Sequence, residues 1–94
     1  MKTPNYIEFM RTSVPGPYGI PLKVIEQNEK EILIEIEIDD IIHGFPVKVS
    51  DITNSIASPI DEDLLFVEIT PDAMSKLYEK ISSVVKSEAN PYIL

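Results

Sequence analysis

Between Ile32 and Asp39 the chain alternates isoleucine with acid: Ile32, Ile34, Ile36 and Ile38 on one parity, Glu35, Glu37 and Asp39 on the other. A period of two is the repeat of a strand, whose successive side chains point to opposite faces; a helix repeats every 3.6 residues. Extended, this segment has one aliphatic face, which demands a cover, and one face of carboxylates. Charge is concentrated here too. Residues 26–40 hold seven acids and one lysine, a local charge of −6 in a chain whose total is −8.

A chain of 94 residues has room for one core, so residues 1–94 are read as a single domain. Hydrophobic residues make up 44% of it, more than a disordered chain carries. The absence of cysteine excludes disulfides, thiol catalysis and thiolate metal sites. A pI near 4.4 sets the chain against phosphate backbones and anionic membranes, so no direct nucleic-acid or membrane contact is expected. The opening Met-Lys-Thr-Pro-Asn-Tyr-Ile-Glu-Phe-Met has no apolar signal core, and no apolar run reaches the length of a membrane span. The expected setting is intracellular, in the cytoplasm.

Residues 3–12 fit either a helix opened by Thr3-Pro4 or a short strand alternating Ile7, Phe9 and Arg11 with Tyr6, Glu8 and Met10. Three prolines and two glycines between Val14 and Pro21 make that stretch a loop, with Tyr18 as its anchor. Ile20–Glu26 and Ile32–Asp39 read as a hairpin. Burial selects a register pairing Val24 with Ile34, Leu22 with Ile36 and Ile20 with Ile38, which sets Lys23 across from Glu35. That register demands an odd-numbered loop around Asn28-Glu29-Lys30, which lacks the usual glycine.

Ile41-Ile42-His43-Gly44 is expected to reverse the chain, and Phe45–Val49 to form a third strand with Phe45, Val47 and Val49 inward. Pro46 suits an edge. Ser50-Asp51 is expected to open a helical turn holding Ile52 and Ile56 four apart, closed by Pro59. Leu64–Ile69, the most apolar run, is a central strand. The last element is a helix: Thr70 caps it, Pro71 takes the first position, and Met74, Leu77, Tyr78, Ile81, Val84 and Val85 form one stripe until Asn90-Pro91 ends it. The fold class is therefore α+β, with three or four mainly antiparallel strands and the C-terminal helix packed on one face.

Catalysis finds little support. The one histidine, His43, sits beside Gly44; with Asp39 and Asp40 it makes a sparse metal cluster that matches no ligand spacing. Asp61-Glu62-Asp63 lacks the alternating oxygens and glycine of a calcium loop. Serines 50, 55, 58, 82 and 83 have no base but His43. Neither an enzyme nor a cofactor is expected.

The acidic segment is the stronger signal. Glu35, Glu37 and Asp39 would stand roughly 6.6 Å apart along a strand, comparable with successive phosphates on a nucleic-acid backbone. With Glu26, Glu29, Glu31 and Asp40 they form a candidate face for a basic protein surface. Nucleases, defence enzymes and other nucleic-acid-binding proteins offer such surfaces. The expected role is a small non-catalytic inhibitor or immunity-type module. The rival is a structural or accessory subunit held through apolar surface, with the tail Tyr92-Ile93-Leu94 and the proline loop as contacts. Self-association through a strand edge or the helix face is a further reading.

Overall fold

The computed structural model describes residues 4–89, with side chains described from 4 to 85. Six strands and one helix follow in order: β1 (Tyr6–Phe9), β2 (Leu22–Gln27), β3 (Glu31–Ile38), β4 (Ile41–Lys48), a 3-10 turn (Val49–Asp51), β5 (Ile52–Ala57), β6 (Leu64–Ile69) and α1 (Pro71–Ala89). All six strands join one sheet in the order β4-β3-β2-β1-β6-β5. Every pairing is antiparallel except β1 with β6, which run parallel at the centre. The α+β class stands, but the sheet has six strands rather than three or four.

The two extra strands are β1 and β5, and β4 starts earlier than its local signals suggest. The chain reverses at Asp39-Asp40, not at Ile41–Gly44: both aspartates have positive φ, 51° and 67°. Two left-handed residues make the turn whose twist suits a two-residue hairpin, and short polar side chains tolerate that region. Gly44 is not a turn glycine. It lies within β4, directly opposite Glu35. Val49, expected inward, falls in the 3-10 turn and is exposed.

Likewise Ile52 and Ile56 belong to a strand, not a helical turn. A bulge between Ile52 and Asn54 shifts the register by one residue, so Ile52 faces Ile69 while Ile56 faces Phe66, on opposite sides of the sheet. The ambiguous N-terminal segment is strand β1. The expected helix start gives way to a parallel partner supplied 58 residues later, Tyr6 lying beside Leu64 through Phe9 beside Val67.

The β2–β3 hairpin keeps the expected pairs Lys23 with Glu35 and Val24 with Ile34. Beyond them a bulge at Ile25 absorbs the odd residue, giving Glu26 with Leu33 and Gln27 with Ile32. The turn then closes without glycine because the Asn28 side chain does the work. Its Oδ1 accepts the N–H groups of Lys30 and Glu31 at 2.8 and 3.0 Å. Ile20 lies outside β2 and is exposed, so the Ile20–Ile38 pair does not form.

Lys48 and Ile52, on the two edge strands, are only four residues apart, which spans at most about 14 Å of chain. Five interstrand spacings in a flat sheet would separate those edges by roughly 24 Å. The sheet therefore coils, and the 3-10 turn bridges its seam. The Val49 N–H donates to Lys30 O at 2.9 Å and the Thr70 N–H to Asp51 O at 3.0 Å, tying the turn to elements from both halves.

Inside the coil lie Ile7, Phe9, Leu22, Ile32, Ile34, Phe45, Val47, Val67 and Ile69, closed over by Met74 and Leu77 of α1. The Thr70 hydroxyl caps the helix by accepting the Ala73 N–H at 3.1 Å. Its buried stripe is narrower than expected: Ile81 and Val84 pack on the core, whereas Tyr78 and Val85 are exposed. Asn90-Pro91 and the tail lie outside the described residues.

The proline loop seals one end. Tyr18 OH donates to Val14 O and shares a hydrogen bond with Thr12 Oγ1, each at 2.6 Å, while the Arg11 guanidinium stacks 4.9 Å from the ring centre. Gly16 approaches the helix so closely that a Cβ there would lie 2.5 Å from Met74 Sδ.

Candidate partner-binding face

Helix α1 covers one side of the sheet. On the other side, register carries a row of side chains across five strands: Gly44, Glu35, Lys23, Tyr6, Leu64. A second row holds Glu8, Phe66 and Ile56, with Glu37 and Ile42 on the far strands. This uncovered face divides in two. Its β3–β4 half is acidic, with apolar Leu33, Ile42 and Pro46 interspersed. Its β1–β6–β5 half is mainly apolar, with Tyr6 41% and Ile56 50% exposed beside partly exposed Leu64 and Phe66.

The predicted acids are distributed unequally. Glu31, Glu35 and Glu37 share the uncovered face of β3, and Glu26 joins them because the bulge pairs it with Leu33. Asp39 leaves the row, since the turn begins there; with Asp40 it forms the exposed hairpin tip. Glu29 sits in the loop at the opposite end of β3. Eight residues of strand separate tip from loop, roughly 26 Å, so the seven acids form a band along the hairpin, not one patch.

The band is not uniformly negative. Lys23 lies directly across from Glu35, and Lys48 across from Glu31. Among the described residues, however, no ion pair holds Glu31, Glu35 or Glu37.

Inspection of the sequence misses the apolar half of this face. Leu64-Leu65-Phe66-Val67 is an unbroken apolar run, the pattern of a strand covered on both sides. Among the described residues there is one helix, which covers only one of them. That mismatch is the signal by which Leu64 and Phe66 could have been found.

The other candidates are not assembled into sites. His43 stands in β4 on the helix side, opposite Ile36 and 6.4 Å from the Phe45 ring centre, while Asp39 and Asp40 are at the exposed tip. Among the described residues no group of three or more metal-ligating side chains converges. Asp61 Oδ1 accepts the Asp63 N–H at 2.9 Å, and Ser58 Oγ accepts from Ile60 and Asp61, so these groups shape their own turn.

A cleft of about 690 Å³ runs along the seam, floored by Val47, Ile69 and Leu77. Its rim carries three lysines (48, 76, 80) and three acids (Asp51, Asp72, Glu79), a balance that selects neither sign of ligand. Among the described residues, no helix is long and apolar enough to cross a membrane. No family model, curated protein or solved structure matches the chain.

Proposed function

We propose that this protein is a small non-catalytic binding module whose uncovered sheet face, led by the acids of β3, occupies a basic site on a partner protein. The observation that carries the reading is the placement of Glu31, Glu35 and Glu37 on a strand fixed by its buried isoleucines, on the side that no helix covers. Charges held on a rigid strand lose less freedom on docking than charges on a flexible tail. They also steer a cationic partner into encounter. Nucleases, defence enzymes and other proteins with a nucleic-acid groove present that chemistry, and an inhibitor or immunity factor would use it.

The test is capture from host extract with wild-type protein and with the Glu35→Lys, Glu37→Lys double variant, at low and high salt. A partner held by the wild type at low salt, and lost on reversal or in high salt, supports the reading. Partners held equally by both proteins overturn it.

The exposure of Tyr6 and Ile56 beside Phe66 favours a second reading, an accessory subunit docked through the apolar half of the same face. In that case binding survives salt and is lost on Phe66→Ser.

A further inference from the structure

The two edges of the sheet are built differently. In β4, Ile38 and Ile41 close the two-residue turn, so alternation directs the N–H groups of Phe45 and Val47 toward β3. Positions 42, 44, 46 and 48 face outward. Pro46 falls in that outward set and has no N–H to offer, and Lys48 ends the run. Proline and lysine on an edge are what keeps strands from adding to it.

Strand β5 has neither. Ile52-Thr53-Asn54-Ser55-Ile56-Ala57 contains no charge and no proline, and residues 53–57 are all exposed. The Ser58 N–H donates to Leu64 O at 3.1 Å. Alternation therefore turns Ile56 toward β6 and leaves Ser55 and Ala57 presenting both N–H and C=O at the free edge.

We infer that β5 pairs antiparallel with β5 of a second copy of this chain, about a two-fold axis at Ser55, so that the sheet continues from one molecule into the next. In this register Ser55 exchanges two backbone hydrogen bonds with its counterpart, and Asn54 of each copy stands against Ile56 of the other. No charged side chain is opposed. Glu68, one strand inward, is already engaged by the Thr53 hydroxyl at 3.2 Å.

Electrostatics selects this edge over the other. Each copy carries −8, of which −6 lies between Glu26 and Asp40. Paired through β5, the two copies of β3 stand nine strand positions apart in the continued sheet, each four positions from its own β5. Pairing through β4 would instead bring two copies of β3 within three spacings, roughly 14 Å. Ile56 and Phe66 share the uncovered face, so pairing at β5 also sets the apolar halves of two copies side by side. The interface leaves the acids of β3 free and is independent of the partner proposed above.

Sedimentation of the full chain from micromolar to millimolar concentration tests the inference. The wild type is expected to dimerise reversibly. Ser55→Pro removes both symmetric hydrogen bonds and should raise the dissociation constant about thirtyfold. Ser55→Lys, which sets two ammonium groups against each other at the axis, should leave a monomer. Gly44→Pro, the same backbone edit on the β4 edge, should dimerise as the wild type does. Circular dichroism of each variant verifies that the fold is kept. A wild type that stays monomeric throughout, or a dimer that survives both Ser55 substitutions, overturns the proposal.

Discussion

Strand β3 has two faces built from adjacent residues, and they do opposite work. Ile32 and Ile34 are buried against Phe45, Val47 and the helix; Leu33 and Glu35, one residue along, look out half-buried from the side that the helix does not cover. The buried face determines where the outer one points, because a slip of a single residue would exchange them. The acidic display is thus as rigid as the core behind it. Rigidity and exposure are supplied by alternate residues of the same eight-residue strand.

The largest expected effect breaks the covered face. Ile34→Ala removes a fully buried side chain and should cost about 2–5 kcal/mol, read from denaturant midpoints. The matched change Leu33→Ala should cost less than about 1.5 kcal/mol. Equal losses at the two positions would show that the outer face is covered in solution.

Gly16→Ala drives a methyl group into the Met74 side chain and should cost about 1–3 kcal/mol in the same assay, since overpacking a fully buried neighbour forces it off its rotamer. Thr70→Ala removes the helix cap and should cost about 1 kcal/mol, loosening the covering layer while leaving the outer face unchanged. Asp40→Gly relieves a left-handed residue at the hairpin tip and should raise stability by about 0.5–1 kcal/mol. Smallest of all is the Glu35→Lys, Glu37→Lys pair, which should shift stability by no more than about 0.5 kcal/mol while removing the proposed docking. A large loss of stability from that pair would mean that these acids support the fold itself.

What could be read from the chain followed the strength of local periodicity. The isoleucine–acid alternation located β3 and its face, and Thr70-Pro71 with the stripe from Met74 to Val84 located α1. Three places resisted. Asp39-Asp40 is a hairpin turn without glycine, so Gly44 drew the reversal toward itself. The bulge after Ile52 gave β5 a four-residue spacing that mimics a helix, although its residues face opposite sides. Strand β1 is four residues long and owes its conformation to β2 and β6, neither of them local. In the candidate face, the acids were legible because charge is counted directly. Their apolar neighbours Tyr6, Phe66 and Ile56 were not, because exposure depends on the missing second layer.

The parallel pairing of β1 with β6 bears on how the chain emerges from a ribosome. Synthesis delivers β1, in the middle of the sheet, before the other five strands, and its parallel neighbour β6 only after Asp63. Until then the nascent protein holds β1 with one side unsatisfied and the aliphatic interior without its lid, an invitation to chaperones and to intermolecular strand exchange. Loop closure over that separation is slow compared with making a local hairpin. Truncation before Leu64 therefore should yield not a smaller version of this molecule but an unfolded, aggregation-prone fragment.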